Sequence, residues 1–153
     1  MAHSKDLADA FLTASRALIG LAVRSIEAAP VEVTIAQHRV LVLLAARGDL
    51  TIGDLAEGLG VNPSNATRYC DRLQRLGLLQ RARSIEDGRV VQVCLTQEGQ
   101  ALVAAVTERR RQEVDEVLER MTGPDALRVV AALRAFNRAA GEVEDREWAA
   151  NFW

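Results

Sequence analysis

The sequence has few of the residues that build metal centres and disulfide frameworks. Two cysteines and two histidines occur in 153 residues, and Cys70 and Cys94 do not form the even, closely spaced set typical of small secreted domains. We find no metal-ligand spacing and predict neither a metal nor a cofactor. No apolar run is long enough to cross a membrane, and the first residues lack the regions of a signal peptide. We therefore expect a cytoplasmic protein without a membrane partner.

Catalytic motifs are also missing. The sequence shows no Ser-His-Asp or Cys-His arrangement and no glycine-rich phosphate-binding loop. Aromatic residues make up only 4% of the chain, whereas Ala, Leu, Val, Arg and Glu are abundant, and this composition favours helices. These observations predict a mainly helical protein that is not an enzyme.

Positive charge is concentrated in one segment of an otherwise acidic chain. Residues 61–90 contain six arginines and three acidic residues, while the formal net charge is −2, so the remaining residues carry −5. Such a distribution is typical of a protein that keeps a nucleic-acid-facing surface apart from a solvating one.

The first predicted element is an amphipathic helix over 5–27. Leu7, Phe11 and Leu18 belong to an apolar stripe with helical spacing, and Ser4 is the predicted N-cap. Nothing in this helix requires burial within its own chain, so a partner subunit is a candidate to cover its apolar face.

Two more helices precede the basic segment. Thr34 is a predicted cap for a helix over 35–47 that ends at Gly48. Thr51 is a predicted cap for a short helix that ends at Gly60.

The helix inside the basic segment begins after a turn of about three residues. Asn62 is its predicted N-cap, Pro63 suits its first position, and Gly77 ends it. Ala66 and Leu73 lie on its inward face. Its outward face carries Ser64, Arg68, Arg72 and Arg75, flanked by Asn65 and Thr67. Two helices joined in this way indicate a helix-turn-helix.

Two strand patterns follow, over 79–83 and 89–95. The second alternates apolar residues with a period of two, and the intervening SIEDG suits a hairpin tip in which Gly88 adopts an unusual backbone angle. A helix-turn-helix followed by a hairpin predicts a winged helix, in a fold that is mainly α with a small β-hairpin.

A long helix is predicted from the cap Thr96 to about Met121. Its polar stretch 108–113 predicts a middle that crosses solvent between two apolar clusters. A last helix is predicted from Gly123, with inward-facing Leu127, Val130, Leu133 and Phe136. The aromatic tail, with Trp148, Phe152 and Trp153, is expected either to be disordered or to dock on a subunit interface.

The order of these elements resembles the MarR family of winged-helix transcription regulators over nearly the whole chain. The strongest likeness lies in LTIGDLAEGLGV, NPSNATRYCDRLQRLGLL, EDGRVVQVCLT and the helix opening LTQEG. The resemblance implies one domain over 1–153 that forms a homodimer. Residues 5–30 and 100–153 would be dimerisation helices, and residues 34–99 a DNA-binding lobe.

The resemblance also implies the roles of individual residues. Double-stranded DNA with a pseudo-palindromic operator is the expected partner. The expected DNA-binding residues are Ser64, Asn65, Thr67, Arg68, Arg72, Arg75, Asp87 and Arg89. Arg89 matches the wing arginine that enters a minor groove, and Asp87 matches an acid that orients neighbouring arginines. Gly88 stands where the family often has a second arginine.

A small effector, often an aromatic anion in this family, is expected to release a repressor of this kind from DNA. The effector residues that position suggests are Arg16, Thr34, His38 and Leu41, although a core or surface role is favoured for each. The alternative function is a winged-helix adaptor that binds protein and not DNA. DNA binding that falls steeply with salt would distinguish the two.

Overall fold

The structure is a computed structural model that describes residues 2–142, with side chains described for residues 5–142. Its elements, in chain order, are α1 (Ala2–Glu27), α2 (Ile35–Arg47), α3 (Ile52–Leu59), α4 (Pro63–Arg75), β1 (Leu79–Arg83), β2 (Val91–Leu95), α5 (Gln97–Leu118) and α6 (Gly123–Ala140). The predicted fold class, mainly α with one small hairpin, is confirmed.

Side-chain caps fix most of the helix boundaries where the sequence predicted them. Thr34 and Gln37 form a reciprocal capping box at α2, and the Thr51 hydroxyl accepts from the Asp54 amide at α3. Thr96 caps α5 in the same way. Two boundaries differ: α1 begins at Ala2, so Ser4 is not its cap, and α5 ends at Leu118, before Met121.

The core lies between α2, α3, α4, the hairpin and the first half of α5. Its largest fully buried side chains include Leu41, Leu55, Leu73, Leu79 and Leu102. Burying an aliphatic side chain of this size stabilises a fold by about 2 kcal/mol. This core therefore holds α4 and the hairpin as parts of one unit.

The hairpin pairs β1 with β2 antiparallel, with Leu79 opposite Leu95 and Arg83 opposite Val91. Leu50 adds an isolated bridge to Val93. The second strand begins at Val91, two residues later than predicted, because residues 89 and 90 belong to the turn. Gly88 is not among the glycines with positive φ, so the predicted unusual backbone angle was wrong.

A tight junction joins the end of α4 to the start of α5. The Thr96 hydroxyl donates to the Gly77 carbonyl at 2.6 Å and accepts from the Gly99 amide at 3.1 Å. A Cβ at Gly99 would lie 1.9 Å from the carbonyl oxygen of Leu78. The opening LTQEG therefore requires threonine for the hydrogen bonds and glycine for the close approach.

The middle of α5 packs on α1, so the prediction that it crosses solvent was wrong. Glu113 is buried, and its carboxylate accepts from Arg24 Nε at 3.0 Å and from Arg109 Nε at 3.1 Å. Arg110 Nε donates to the hydroxyl of the buried Ser25 at 3.0 Å. Arg110 and Glu113 thus join this stretch to α1, whereas Glu108, Arg111 and Gln112 remain exposed.

Apolar side chains remain exposed on α1 and α6. They include Leu12, Ile19, Leu127, Leu133 and Phe136, of which Leu127 is 78% exposed. The prediction that the α6 residues face inward is thus wrong for a single chain. Phe11 and Phe136 stack with ring centroids 4.4 Å apart. The aromatic tail with Trp148 lies outside the described residues. Within the described residues, no helix has the length and apolar character to span a membrane.

Candidate nucleic-acid interface

The turn between α3 and α4 sets the direction of the second helix. Gly60 adopts a left-handed conformation, with φ 66° and ψ 33°, and its amide donates to the carbonyls of Ala56 and Glu57. The Val61 amide also donates to Ala56, at 3.0 Å. A residue with a Cβ would be strained at this φ. The glycine therefore lets α4 begin after only three intervening residues, Gly60 to Asn62.

The first turn of α4 is held by the side chain of Asn62. Its Oδ1 accepts from the Asn65 amide at 2.9 Å and from the Ser64 hydroxyl at 2.7 Å. Pro63 occupies the first helical position, where its missing N–H costs nothing. The predicted entry to this helix is confirmed, and it also fixes the hydroxyl of Ser64.

The exposed face of α4 is ordered by bonds within the helix. The Thr67 hydroxyl donates to the Pro63 carbonyl at 2.9 Å, and Arg68 donates to the amide oxygen of Asn65. The buried face carries Ala66, Cys70 and Leu73, and it fixes the rotation of the helix. The polar side chains near the start of α4 are thus pre-oriented towards solvent.

Further arginines of the basic segment differ in their surroundings. Arg81 forms a salt bridge with Asp71 at 2.7 Å, and this bond connects β1 to α4. Arg72 and Arg75 are exposed in the last turn of α4, and neither pairs with another described residue. Because a guanidinium group suits phosphate and guanine acceptors, these two are available to an anionic partner.

The tip of the hairpin places Arg89 in solvent. Its amide donates to Asp87 Oδ1 at 3.0 Å, and Arg83 Nη1 donates to the Gly88 carbonyl at 2.8 Å. Asp87 thus holds the backbone of Arg89, not a guanidinium group. The contact of Arg83 was not foreseen, because nothing in the sequence indicates which carbonyl an exposed arginine reaches.

Of the four suggested effector residues, Thr34 alone lines the cavity between α1 and α2. Leu41 is fully buried in the core, and Arg16 is exposed on α1, where it donates to Thr13. Thr34 lines a cavity of about 440 Å³ between the end of α1 and the start of α2. The other lining residues are Val23, Ile26, Glu27, Ala29, Glu32, Val33 and Ile35.

His38 is a buried residue of α2 that does not line this cavity. It is 4% exposed, and its Nε2 has no hydrogen-bond partner among the described residues. Burial, together with the nearby charges of Arg110 and Arg39, lowers the pKa of His38 to about 4. The imidazole is therefore neutral at pH 7, and a role in effector binding stays a prediction.

The two cysteines are free thiols. Cys70 is fully buried on the inward face of α4, and burial raises its pKa to about 11. Cys94 is partly buried in β2, and desolvation and a hydrogen bond with Asp49 raise its pKa to about 11. Since the thiolate is the reactive form, both are unreactive near neutral pH.

Helix-turn-helix, hairpin and exposed arginines together define a winged-helix protein. Comparison with known proteins agrees with this class, since a family model described as MarR family matches residues 32–90. The uncharacterised HTH-type transcriptional regulator YfiV of Bacillus subtilis is 32% identical over 108 residues, covering 71% of this chain and 68% of YfiV. The HTH-type transcriptional repressor MdtR of the same organism is 31% identical over 115 residues, covering 75% of this chain and 74% of MdtR.

A solved structure shares this fold. The crystal structure of RV1404 from Mycobacterium tuberculosis superposes with a TM-score of 0.86 at 37% identity, covering 93% of this chain and 97% of RV1404. The chain belongs to the MarR family of helix-turn-helix transcriptional regulators. The DNA-binding and effector residues implied by the family resemblance remain predictions at the level of single side chains.

Proposed function

We propose that the chain is a sequence-specific DNA-binding repressor whose α4 reads the major groove. The observation that carries the proposal is the ordered polar face at the start of α4, where Ser64, Asn65, Thr67 and Arg68 are pre-oriented by hydrogen bonds. A helix fits the major groove, where each base pair presents a distinct pattern of donors and acceptors. Repression is favoured because the relative MdtR is named a transcriptional repressor.

Different residues of this surface have different roles in the proposal. Arg68 forks onto guanine and supplies about 1–3 kcal/mol of discrimination. Ser64 and Thr67 contact phosphates near the helix N-terminus, and Arg72 and Arg75 add further phosphate contacts. Asn65 adds to base recognition beside Arg68.

The wing supplies a second contact. Arg89 enters the adjacent minor groove, where the negative potential attracts an arginine. Asp87 serves indirectly, since its carboxylate holds the amide that precedes the Arg89 side chain.

The proposed functional unit is a homodimer in which α1 and α6 of two chains cover each other. Their exposed apolar residues support this, because a patch of this kind on a lone chain marks an interaction surface. Residues 5–30 and 100–153 would form the dimerisation part, and 34–99 the DNA-binding lobe. A two-fold dimer reads a pseudo-palindromic operator with half-sites about one helical turn apart. We assign it no catalytic activity and expect it to act in the cytoplasm.

The cavity between α1 and α2 is the proposed effector site, and ligand binding there would shift the population between two dimer states. Its walls are apolar except for Thr34, Glu27 and Glu32. Two carboxylates disfavour the aromatic anion that the family resemblance suggested. We therefore propose a neutral or cationic apolar effector for this cavity.

The decisive experiment is selection of bound DNA from a random pool, followed by gel-shift titration of the selected operator at several salt concentrations. We expect log Kd to rise linearly with log salt and Arg89→Ala to weaken binding at least about tenfold, through loss of a desolvated charged contact. Failure to enrich any sequence would contradict the proposal. Salt-independent binding to a protein partner would favour the adaptor.

A further inference from the structure

The tip of the wing is held by a set of local hydrogen bonds. The Ser84 amide donates to the Val90 carbonyl at 2.8 Å, and the Val90 amide donates to the Asp87 carbonyl at 2.9 Å. The Ser84 hydroxyl accepts from the Glu86 amide at 3.2 Å. This tip is therefore closed at its base and ordered on the side of Glu86 and Asp87.

One peptide unit of the tip, between Gly88 and Arg89, is held at both of its polar atoms. Its carbonyl oxygen accepts from Arg83 Nη1 at 2.8 Å, and its N–H donates to Asp87 Oδ1 at 3.0 Å. Fixing both atoms fixes the plane of the peptide that leads into the Cα of Arg89. The direction in which the Arg89 side chain leaves the backbone depends on that plane.

Gly88 itself supplies no such constraint. It has no side chain, and a Cβ built there would meet nothing within 4 Å. An unrestrained glycine has more backbone freedom than any other residue. The hydrogen bond from Arg83 therefore opposes the flexibility that Gly88 introduces next to the wing arginine.

We propose that Arg83 is a positioning residue for DNA binding, which holds the Gly88–Arg89 peptide so that Arg89 is presented to the groove. The proposal rests on the DNA-binding function of the wing. Arg83 acts through Arg89 in this account and contacts no phosphate itself. Ordering the tip before binding removes a conformational cost that the complex would otherwise bear.

A double-mutant cycle tests this dependence on the selected operator. We expect Arg83→Met to weaken binding about fivefold, corresponding to the ordering of roughly one residue. In an Arg89→Ala background the same substitution should change Kd less than about twofold, because residues that act through one contact are not additive. Equal fold-changes in both backgrounds, or parental affinity of Arg83→Met, would overturn the proposal.

Arg75→Met is the matched control, since Arg75 is an exposed arginine with no partner among the described residues. The fold-changes in Kd caused by Arg75→Met and Arg89→Ala should multiply in the double variant. Arg75→Met should also lower the slope of log Kd against log salt by about one. Arg83→Met should leave the salt slope of the Arg89→Ala protein unchanged. A fall of about one there would show that Arg83 contacts phosphate.

Amide hydrogen exchange of the free protein separates this proposal from the proposed function. Arg83→Met should speed exchange of the Arg89 amide and leave amides of α4 unchanged, because local opening is governed by local bonds. An unchanged exchange rate of the Arg89 amide would overturn the positioning role of Arg83, even if the wing binds DNA. Parental operator affinity of Arg89→Ala would instead overturn the role of the wing, whatever the exchange result.

Discussion

Arg24 of α1 donates from Nε to the buried carboxylate of Glu113 in α5 at 3.0 Å, and Arg109 donates to the second oxygen. Glu113 is only 6% exposed, whereas both arginines are more than half exposed. Removing the arginines leaves a buried charge without a partner, while removing the charge leaves two arginines that water can reach. The two changes should therefore have unequal costs.

We expect Arg24→Met with Arg109→Met to lower the free energy of unfolding by about 3 kcal/mol, as for other uncompensated buried charges. Glu113→Gln should cost only about 1 kcal/mol, and adding it to the double variant should restore part of the loss. Urea unfolding at one fixed protein concentration measures this. A larger cost for Glu113→Gln than for the arginine pair would contradict it.

Gly99 is expected to tolerate no side chain. A Cβ there would lie 1.9 Å from the carbonyl oxygen of Leu78, so Gly99→Ala must displace the start of α5 or the α4–β1 turn. The expected loss is about 3 kcal/mol, at the upper end for overpacking. Gly53→Ala is the control, because its Cβ would come no closer than 3.8 Å to Thr51 and alanine favours a helix interior. Thermal unfolding should show a lower midpoint for Gly99→Ala only.

His38 should make stability depend on pH between about 6.5 and 4. Above this range the imidazole is neutral in both states. Within it, the unfolded chain takes up a proton that the folded chain excludes, because burial lowers the folded pKa to about 4. Stability therefore falls as pH falls, by about 3 kcal/mol in total, and the loss saturates below pH 4.

The comparison that isolates this effect is the pH profile of the His38→Leu variant, measured by urea unfolding beside the parent. The difference in free energy of unfolding between the parent and His38→Leu should change by about 3 kcal/mol between pH 7 and pH 4. The other groups titrate alike in both proteins and cancel from this difference. A constant difference across that range would show that His38 is protonated as readily in the folded chain.

Gly88→Arg is expected to strengthen DNA binding. The position has open space for a side chain and no positive φ, so the substitution should not strain the tip. One added cation near phosphate should steepen the salt slope by about one. Gly88→Ala controls for the loss of glycine, and gel-shift titration compares the three proteins. Weaker binding by Gly88→Arg than by Gly88→Ala would refute this prediction.

The sequence predicted the parts of the fold that depend on local signals. Thr34, Thr51, Asn62 and Thr96 all cap helices where expected, because a cap is a bond between near neighbours in sequence. The middle of α5 was misjudged, since Glu113 finds its partner Arg24 far away along the chain. Polarity alone cannot tell a solvated face from a buried ion network.

The candidate site shows the same division. The exposed face of α4 followed from helical periodicity, and Arg89 from the family resemblance. The bond from Arg83 to the Gly88 carbonyl could not be foreseen, because it depends on the path of a long flexible side chain. The inward assignment of Leu127 and Phe136 on α6 failed because periodicity identifies an apolar face without identifying what covers it.

The hydrogen bonds of Thr96 have a mechanical consequence. The Thr96 hydroxyl follows β2, and its bonds to Gly77 and Gly99 connect the end of β2 to the end of α4 and to the start of α5. These bonds favour a movement in which α4 and the wing follow the start of α5. An effector that moved α5 would change the distance between the two DNA-binding lobes of a dimer without changing the shape of either lobe. Adding the effector should then change which half-site spacing the protein binds most tightly.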